Sequence, residues 1–250
     1  MWELGWPALS VLLVSGLFIG FSKTGITTLG MMIVIVMTLA FPARESVGIV
    51  LPVLIVGDLI AVVYYRRSVI WKHLFSLIPW VLAGIVAGYF VLRYTDGGQL
   101  TFLMGTIILS LLILQGIKDL LKPQWMELVP KSLAFTAFMG VMAGFTTTIG
   151  NVAGVIMAMY LMSKQLPKQE FVGTGAWFFL FVNVIKIPFY VNLGMIDAAS
   201  ISLNVWMVPA VFVGAYLGVK VLRRIPQRIF HVSVLLLGAL GAIRLIVMDL

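Results

Sequence analysis

Six stretches of the chain, residues 46–65, 74–92, 100–117, 171–191, 201–219 and 229–243, hold at most one charged side chain each. A helix rises about 1.5 Å per residue, so about twenty such residues cross the ~30 Å hydrocarbon core of a bilayer. Lipid offers a backbone no hydrogen bonds, so a run that crosses it must satisfy its own, and runs of this length do so as helices. The composition agrees. Of 250 residues 62% are hydrophobic and 10% charged, against roughly 45–50% and about 25% in soluble domains. Nine acidic and 17 basic side chains are too few to cover a water-soluble globule. The chain reads as an all-α polytopic membrane protein. With no cysteine, disulfide scaffolds, thiolate metal sites and thiol catalysis fall away together. Two histidines far apart, His73 and His231, leave little for a metal. Neither a metal nor a cofactor is expected. The opening Met1-Trp2-Glu3-Leu4-Gly5-Trp6-Pro7 lacks the basic start of a secretory signal, so the first apolar stretch is expected to be retained structure.

Two further apolar stretches are interrupted. Ser22-Lys23-Thr24-Gly25 breaks residues 7–41, and Thr146-Thr147-Thr148-Ile149-Gly150-Asn151 breaks residues 132–163. Each predicts two short helices of about 15–17 residues, below the roughly 20 of a full span. Either ten short crossings or six full spans plus two re-entrant hairpins would satisfy the pattern. Both return the chain to the side it came from, so orientation follows from loop charge alone. One face collects 12 basic residues, among them Arg66, Arg67, Lys164, Lys168, Arg223 and Arg224. The other holds Arg44, Arg93 and Arg244, while Lys23 and Lys186 fall inside apolar segments. By the positive-inside rule the crowded face is cytoplasmic and both termini lie outside a plasma (inner) membrane. The net charge of +8 thus reflects topology and requires no nucleic acid.

The two halves repeat each other. Gly16 to Thr24 matches Gly140 to Thr148; Pro42, Glu45, Val47 and Gly48 match Pro167, Glu170, Val172 and Gly173. Pro79 to Arg93 matches Pro209 to Arg223, keeping the glycine pairs Gly84/Gly88 and Gly214/Gly218. The pairs at GxxxG spacing suit close helix packing. A single transmembrane transport domain, 1–250, is expected to divide into repeats of about 1–122 and 123–250, each with five short or long helices. An odd number of crossings per repeat requires a two-fold axis in the membrane plane. Inverted repeats whose broken helices meet near the midplane are characteristic of secondary transporters.

The breaks carry the chemistry. Helices leaving them are expected to begin near Gly25 and Gly150. A helix N-terminus presents unpaired N–H groups and about half a positive charge, which suits an anion. Around the two termini stand the hydroxyls of Ser22, Thr24, Thr27, Thr28, Thr146, Thr147 and Thr148, the Asn151 amide and the Lys23 ammonium. All can donate and none is negative. The competing reading has the hydroxyls bonding back to their own helices and Lys23 snorkelling to the interface. Asp58 and Lys186 are lone charges in their spans, where a charge costs at least ~2.5–3.5 kcal/mol. Asp58 aligns with Asn183 in the repeat, and Lys186 lies one turn beyond it. Asp58 is therefore a candidate coupling site for a proton, with Asn183 and Lys186 as candidate substrate groups. The structural alternative is a buried Asp58–Lys186 or Asp58–Lys23 pair that only fixes packing. Trp177 lies well inside its span, placed to face a pathway.

On the breaks Gly20-Phe-Ser-Lys-Thr-Gly25 and Gly144-Phe-Thr-Thr-Thr-Ile-Gly150, and the turns Pro42 to Glu45 and Pro167 to Glu170, the chain resembles the TauE/SafE sulfite exporter (TSUP) family of anion transporters. It departs from that family's common glycine triplet at the first break, where Lys23-Thr24-Gly25-Ile26 stands. The resemblance implies ion-gradient-coupled export of sulfite or small organosulfonates. An anion channel with two re-entrant loops is the alternative; Asp58 favours the transporter, because an acid that titrates can couple a gradient. An enzyme would need a nucleophile–base or carboxylate pair in the membrane, and one intramembrane Asp is at hand. No GxxxxGK[ST] pattern occurs, so ATP drive would need another subunit. The expected partners are the anion, a proton and membrane lipid, and a homodimer is compatible with the chain.

Overall fold

The computed structural model describes residues 5–23, 29–65, 67–120, 132–221 and 227–247. These form ten helices and no strand: α1 Trp6–Ser22, α2 Leu29–Met37, α3 Ala43–Tyr65, α4 Trp71–Tyr94, α5 Gly97–Leu120, α6 Leu133–Gly150, α7 Gly154–Ser163, α8 Lys168–Asn192, α9 Ala198–Val221 and α10 Gln227–Val247. Local chemistry sets several starts. Pro7 opens α1, where its missing N–H is not needed. Asp96 accepts the Gln99 N–H (2.8 Å) ahead of α5, and Ser132 accepts the Phe135 N–H (3.2 Å) ahead of α6. Ahead of α9, Asp197 accepts the Ser200 N–H at 2.6 Å while Ser200 Oγ accepts the Asp197 N–H at 2.9 Å. Those bonds hold the Asp197 carboxyl below the usual carboxylate range.

Six helices, α3, α4, α5, α6, α8 and α9, are long and apolar enough to cross a membrane. One of them differs from the sequence expectation. At 18 residues α6 reaches span length, because the threonines and Gly150 continue the helix instead of ending it. By contrast α7, with 10 residues, is about 15 Å long, half the hydrocarbon core, and the described part of α2 covers 9 residues. Large apolar side chains such as Phe75, Val205, Phe212 and Leu240 stay exposed on the outer helices. A surface of that kind suits contact with lipid.

Helix contacts come in pairs. Gly16 and Gly20 of α1 lie against Met207 and Val211 of α9; Gly140 and Gly144 of α6 lie against Leu77 and Val81 of α4. Numbering ascends together in both, so each pair runs parallel. Gly214 in turn meets Leu17, and Gly84 meets Val141. At the opposite ends Gly48 rests on the Met195 carbonyl and Gly173 on the Ser68 carbonyl. α3 and α8 run antiparallel between these contacts, as do α5 and α10, where Gly105 meets Ala242 and Gly238 meets Leu112. A Cβ on Gly20 or Gly144 would strike a backbone carbonyl oxygen, of Val211 or Val81. Gly20→Ala and Gly144→Ala should therefore each lower the melting temperature in detergent by several degrees, from overpacking that costs about 1–3 kcal/mol. Gly116→Ala, with nothing within 4 Å of its Cβ, should instead gain up to about 1 kcal/mol of helix propensity. Equal melting of all three would mean that close backbone approach does not hold these pairs.

Candidate functional site

Three helices build a buried charged cluster at the end of α1. Lys23 caps α1 and its Nζ lies 2.6 Å from Asp58 Oδ1 on α3. The missing side chain of Gly57 makes room for the lysine stem, since a Cβ there would sit 3.2 Å from Lys23 Cγ and Cε. Asp58 is fully buried, and its other oxygen accepts the Asn183 amide of α8 at 2.7 Å. Of the two ion pairs open from sequence, Asp58 thus makes the one with Lys23. The ammonium also stands 5.4 Å from the Phe179 ring centre.

The second break is built differently from the sequence expectation. No helix begins at Gly150: α6 ends there, and Asn151 caps it in the left-handed region at φ 56°. Asn tolerates that conformation better than most side chains. Three residues later α7 begins at Gly154, and its first intrahelical bond runs from Met157 N to Ala153 O. The N–H groups of Gly154, Val155 and Ile156 precede that bond, as at any helix start. The buried carbonyl end of α6 is met from α8. Lys186, also fully buried, donates to Thr147 O (3.0 Å), Thr147 Oγ1 (3.0 Å) and Asn151 Oδ1 (2.6 Å). One turn on, Tyr190 donates its hydroxyl proton to Thr148 O at 2.7 Å. A cation and a hydroxyl here oppose the negative end of the α6 dipole. Asn151 completes the arrangement by donating its amide to Val47 O of α3 at 3.3 Å.

Between the breaks lies a cavity. Its walls include Lys23 and Ser22, Gly30 and Met31 of α2, Gly154 from the first turn of α7, and Thr147, Asn151 and Asn183. Leu54 and Phe179, which share the 125-residue offset of Asp58 and Asn183, face it as well. A second cavity adjoins it at Ser22, Lys23, Gly154 and Phe179. Counted at formal charge, the cluster sets Lys23 and Lys186 against one carboxylate, Asp58, one positive charge in excess.

The candidates from sequence thus separate. Ser22, Lys23, Thr147, Asn151 and Asn183 line the cavity. Thr146 and Thr148 do not: each hydroxyl bonds back at 2.8 Å, to Met142 O and Gly144 O. Ser22 also bonds back, to Ile19 O at 2.8 Å. Gly150 sits at the end of α6, and Lys186 lies behind the cavity wall, turned to Thr147 and Asn151. Thr24, Gly25, Thr27 and Thr28 lie outside the described residues. Trp177 joins an aromatic cluster, 5.2 Å from Trp71 and 5.6 Å from Phe181, instead of the cavity. Sequence reasoning missed Phe179, Leu54, Gly154 and Tyr190. The repeat offset pointed to the first two, and the one-turn spacing from Lys186 to the last. A family model described as Sulfite exporter TauE/SafE matches residues 12–245. No curated protein and no solved structure matches the chain.

Proposed function

The chain belongs to the TauE/SafE sulfite exporter family of membrane transporters, and on that premise we propose that it exports sulfite or a small organosulfonate by alternating access. One observation carries the reading: α2, the first turn of the ten-residue helix α7 and Lys23 meet on one cavity. A helix N-terminus, an ammonium and an amide in a low-dielectric cleft are complementary to a compact oxyanion. The excess positive charge of the cluster is balanced when a monoanion enters.

The paired helix contacts support two inverted repeats. α1 on α9 corresponds to α6 on α4 through the offsets of 124 and 130 residues at which the sequence halves match. In that arrangement the α1–α2 and α6–α7 pairs enter from opposite sides, and the basic loops face the cytoplasm. Asp58 is the coupling acid in this reading, because its carboxylate and the anion compete for the same Lys23 ammonium. A channel has no use for such competition.

Counterflow of labelled sulfite and methanesulfonate in proteoliposomes tests the function directly. Lys23→Ala should weaken anion binding more than tenfold. Lys23→Ala/Asp58→Asn, which removes the orphaned carboxylate as well, should fold like the parent and still bind weakly. Parent-like affinity in either variant would remove Lys23 from the site, and no counterflow of any sulfur oxyanion would remove the function.

A further inference from the structure

We infer that the preferred anion is a short, unsubstituted alkanesulfonate, with its head at Lys23 and its chain in the adjoining apolar cavity. The inference rests on the anion-transport reading of the cleft. The two cavities share Lys23, Ser22, Gly154 and Phe179 in their walls, yet the rest of their linings differ. Beyond those shared residues the second is walled by Ala61, Met157, Ala158, Leu161, Phe171 and Ala176. Its charged lining groups among the described residues, Lys23 and Asp58, lie at the shared end and bond each other at 2.6 Å. Ser22 Oγ is committed to Ile19 O.

A bare inorganic oxyanion would leave this apolar space unused. A sulfonate with a polar far end, such as an ammonium or a carboxylate, would bring it among aliphatic walls without a partner, which is costly. An alkyl chain gains from each carbon it buries. The size fits a short one. The cavity holds about 70 Å³, and an apolar cavity of about 150 Å³ takes a six-carbon benzene ring, so roughly three carbons fill it.

The test is a homologous series competing against labelled methanesulfonate on the full chain. Methane-, ethane- and propanesulfonate should bind about fourfold more tightly with each added carbon, with sulfite at the weak end. Taurine is isosteric with propanesulfonate but ends in an ammonium, and it should bind at least tenfold more weakly than propanesulfonate. Ala158→Val and Gly175→Ala narrow the apolar cavity; a Cβ at Gly175 meets Leu161 Cδ1 at an ordinary 3.6 Å. Both should flatten the series, with propanesulfonate falling to the level of methanesulfonate. A flat series in the parent chain, or taurine equal to propanesulfonate, would overturn the inference and leave the apolar cavity as a mere route. If no sulfonate or sulfite competes at all, the anion-transport reading fails and takes the inference with it.

Discussion

Replacing Asp58 by Asn will stop the chain concentrating its anion under a pH gradient while anion-for-anion exchange continues. The Asp58 carboxylate holds the Lys23 ammonium at 2.6 Å, and that ammonium lines the proposed anion cavity. Carboxylate and anion therefore draw on one cation. A proton on Asp58 frees Lys23 for the anion, and an anion on Lys23 leaves Asp58 seeking a proton. Linkage makes the two effects equal. Anion affinity should then rise as pH falls, by up to about tenfold per unit for one linked proton. Methanesulfonate suits the measurement because its own charge is constant over the range. With the parent chain it should accumulate in the more alkaline compartment, proton and monoanion moving together without net charge, so export from an alkaline cytoplasm runs down the anion's own gradient and carries protons out with it. Asn keeps the shape and an oxygen for Lys23 but takes no proton. Its binding should be tight and flat with pH, and its uphill flux absent. A variant that still concentrates methanesulfonate would exclude Asp58 from coupling.

Hydropathy made the helices and the lone charges legible, because a charge within twenty apolar residues stands out without any structure. Partner choice was not legible in the same way. Asp58 had two lysines to choose from, and both lie in or beside breaks whose geometry the residue types do not dictate. Lys23 wins because Gly57 vacates the space its stem crosses, and Lys186 is held away by Thr147 and Asn151. The position of the second break was misread for a related reason. A glycine after three threonines suggests a helix start, yet the threonines at 146 and 148 bond back and extend α6. The reversal waits for Asn151, whose left-handed conformation leaves only a faint mark in sequence. Composition thus locates a break to within about a turn, and the side-chain hydrogen bonds decide which of its ends faces the anion.

That distinction gives Lys186 and Lys23 opposite phenotypes. Lys186→Met should cost the fold about 2–6 kcal/mol, seen as a large fall in melting temperature with or without anion. The reason is local. Thr147 O, Thr147 Oγ1 and Asn151 Oδ1 all accept from one buried ammonium; Thr147 O keeps the Asn151 N–H at 3.0 Å, but the other two are left dry at about 1–3 kcal/mol each. Met fills similar space and offers no proton. Arg should not rescue, since its planar fork does not match three oxygens converging on one point. A lysine that contacted substrate would behave otherwise, losing affinity while the apo protein melted unchanged. Asn151→Asp separates the electrostatic role from the structural one. It gives Lys186 a true counter-ion but loses the amide's bond to Val47 O, so the fold should stay within about 1 kcal/mol of the parent. It also cancels the excess positive charge of the cluster, and a buried unit charge nearby is worth roughly 2 kcal/mol at an effective dielectric of about 20. Anion affinity should therefore fall about thirtyfold in a protein that melts close to the parent. If Asn151→Asp binds methanesulfonate like the parent, the excess charge does not attract the anion, and Lys186 serves only to hold the end of α6.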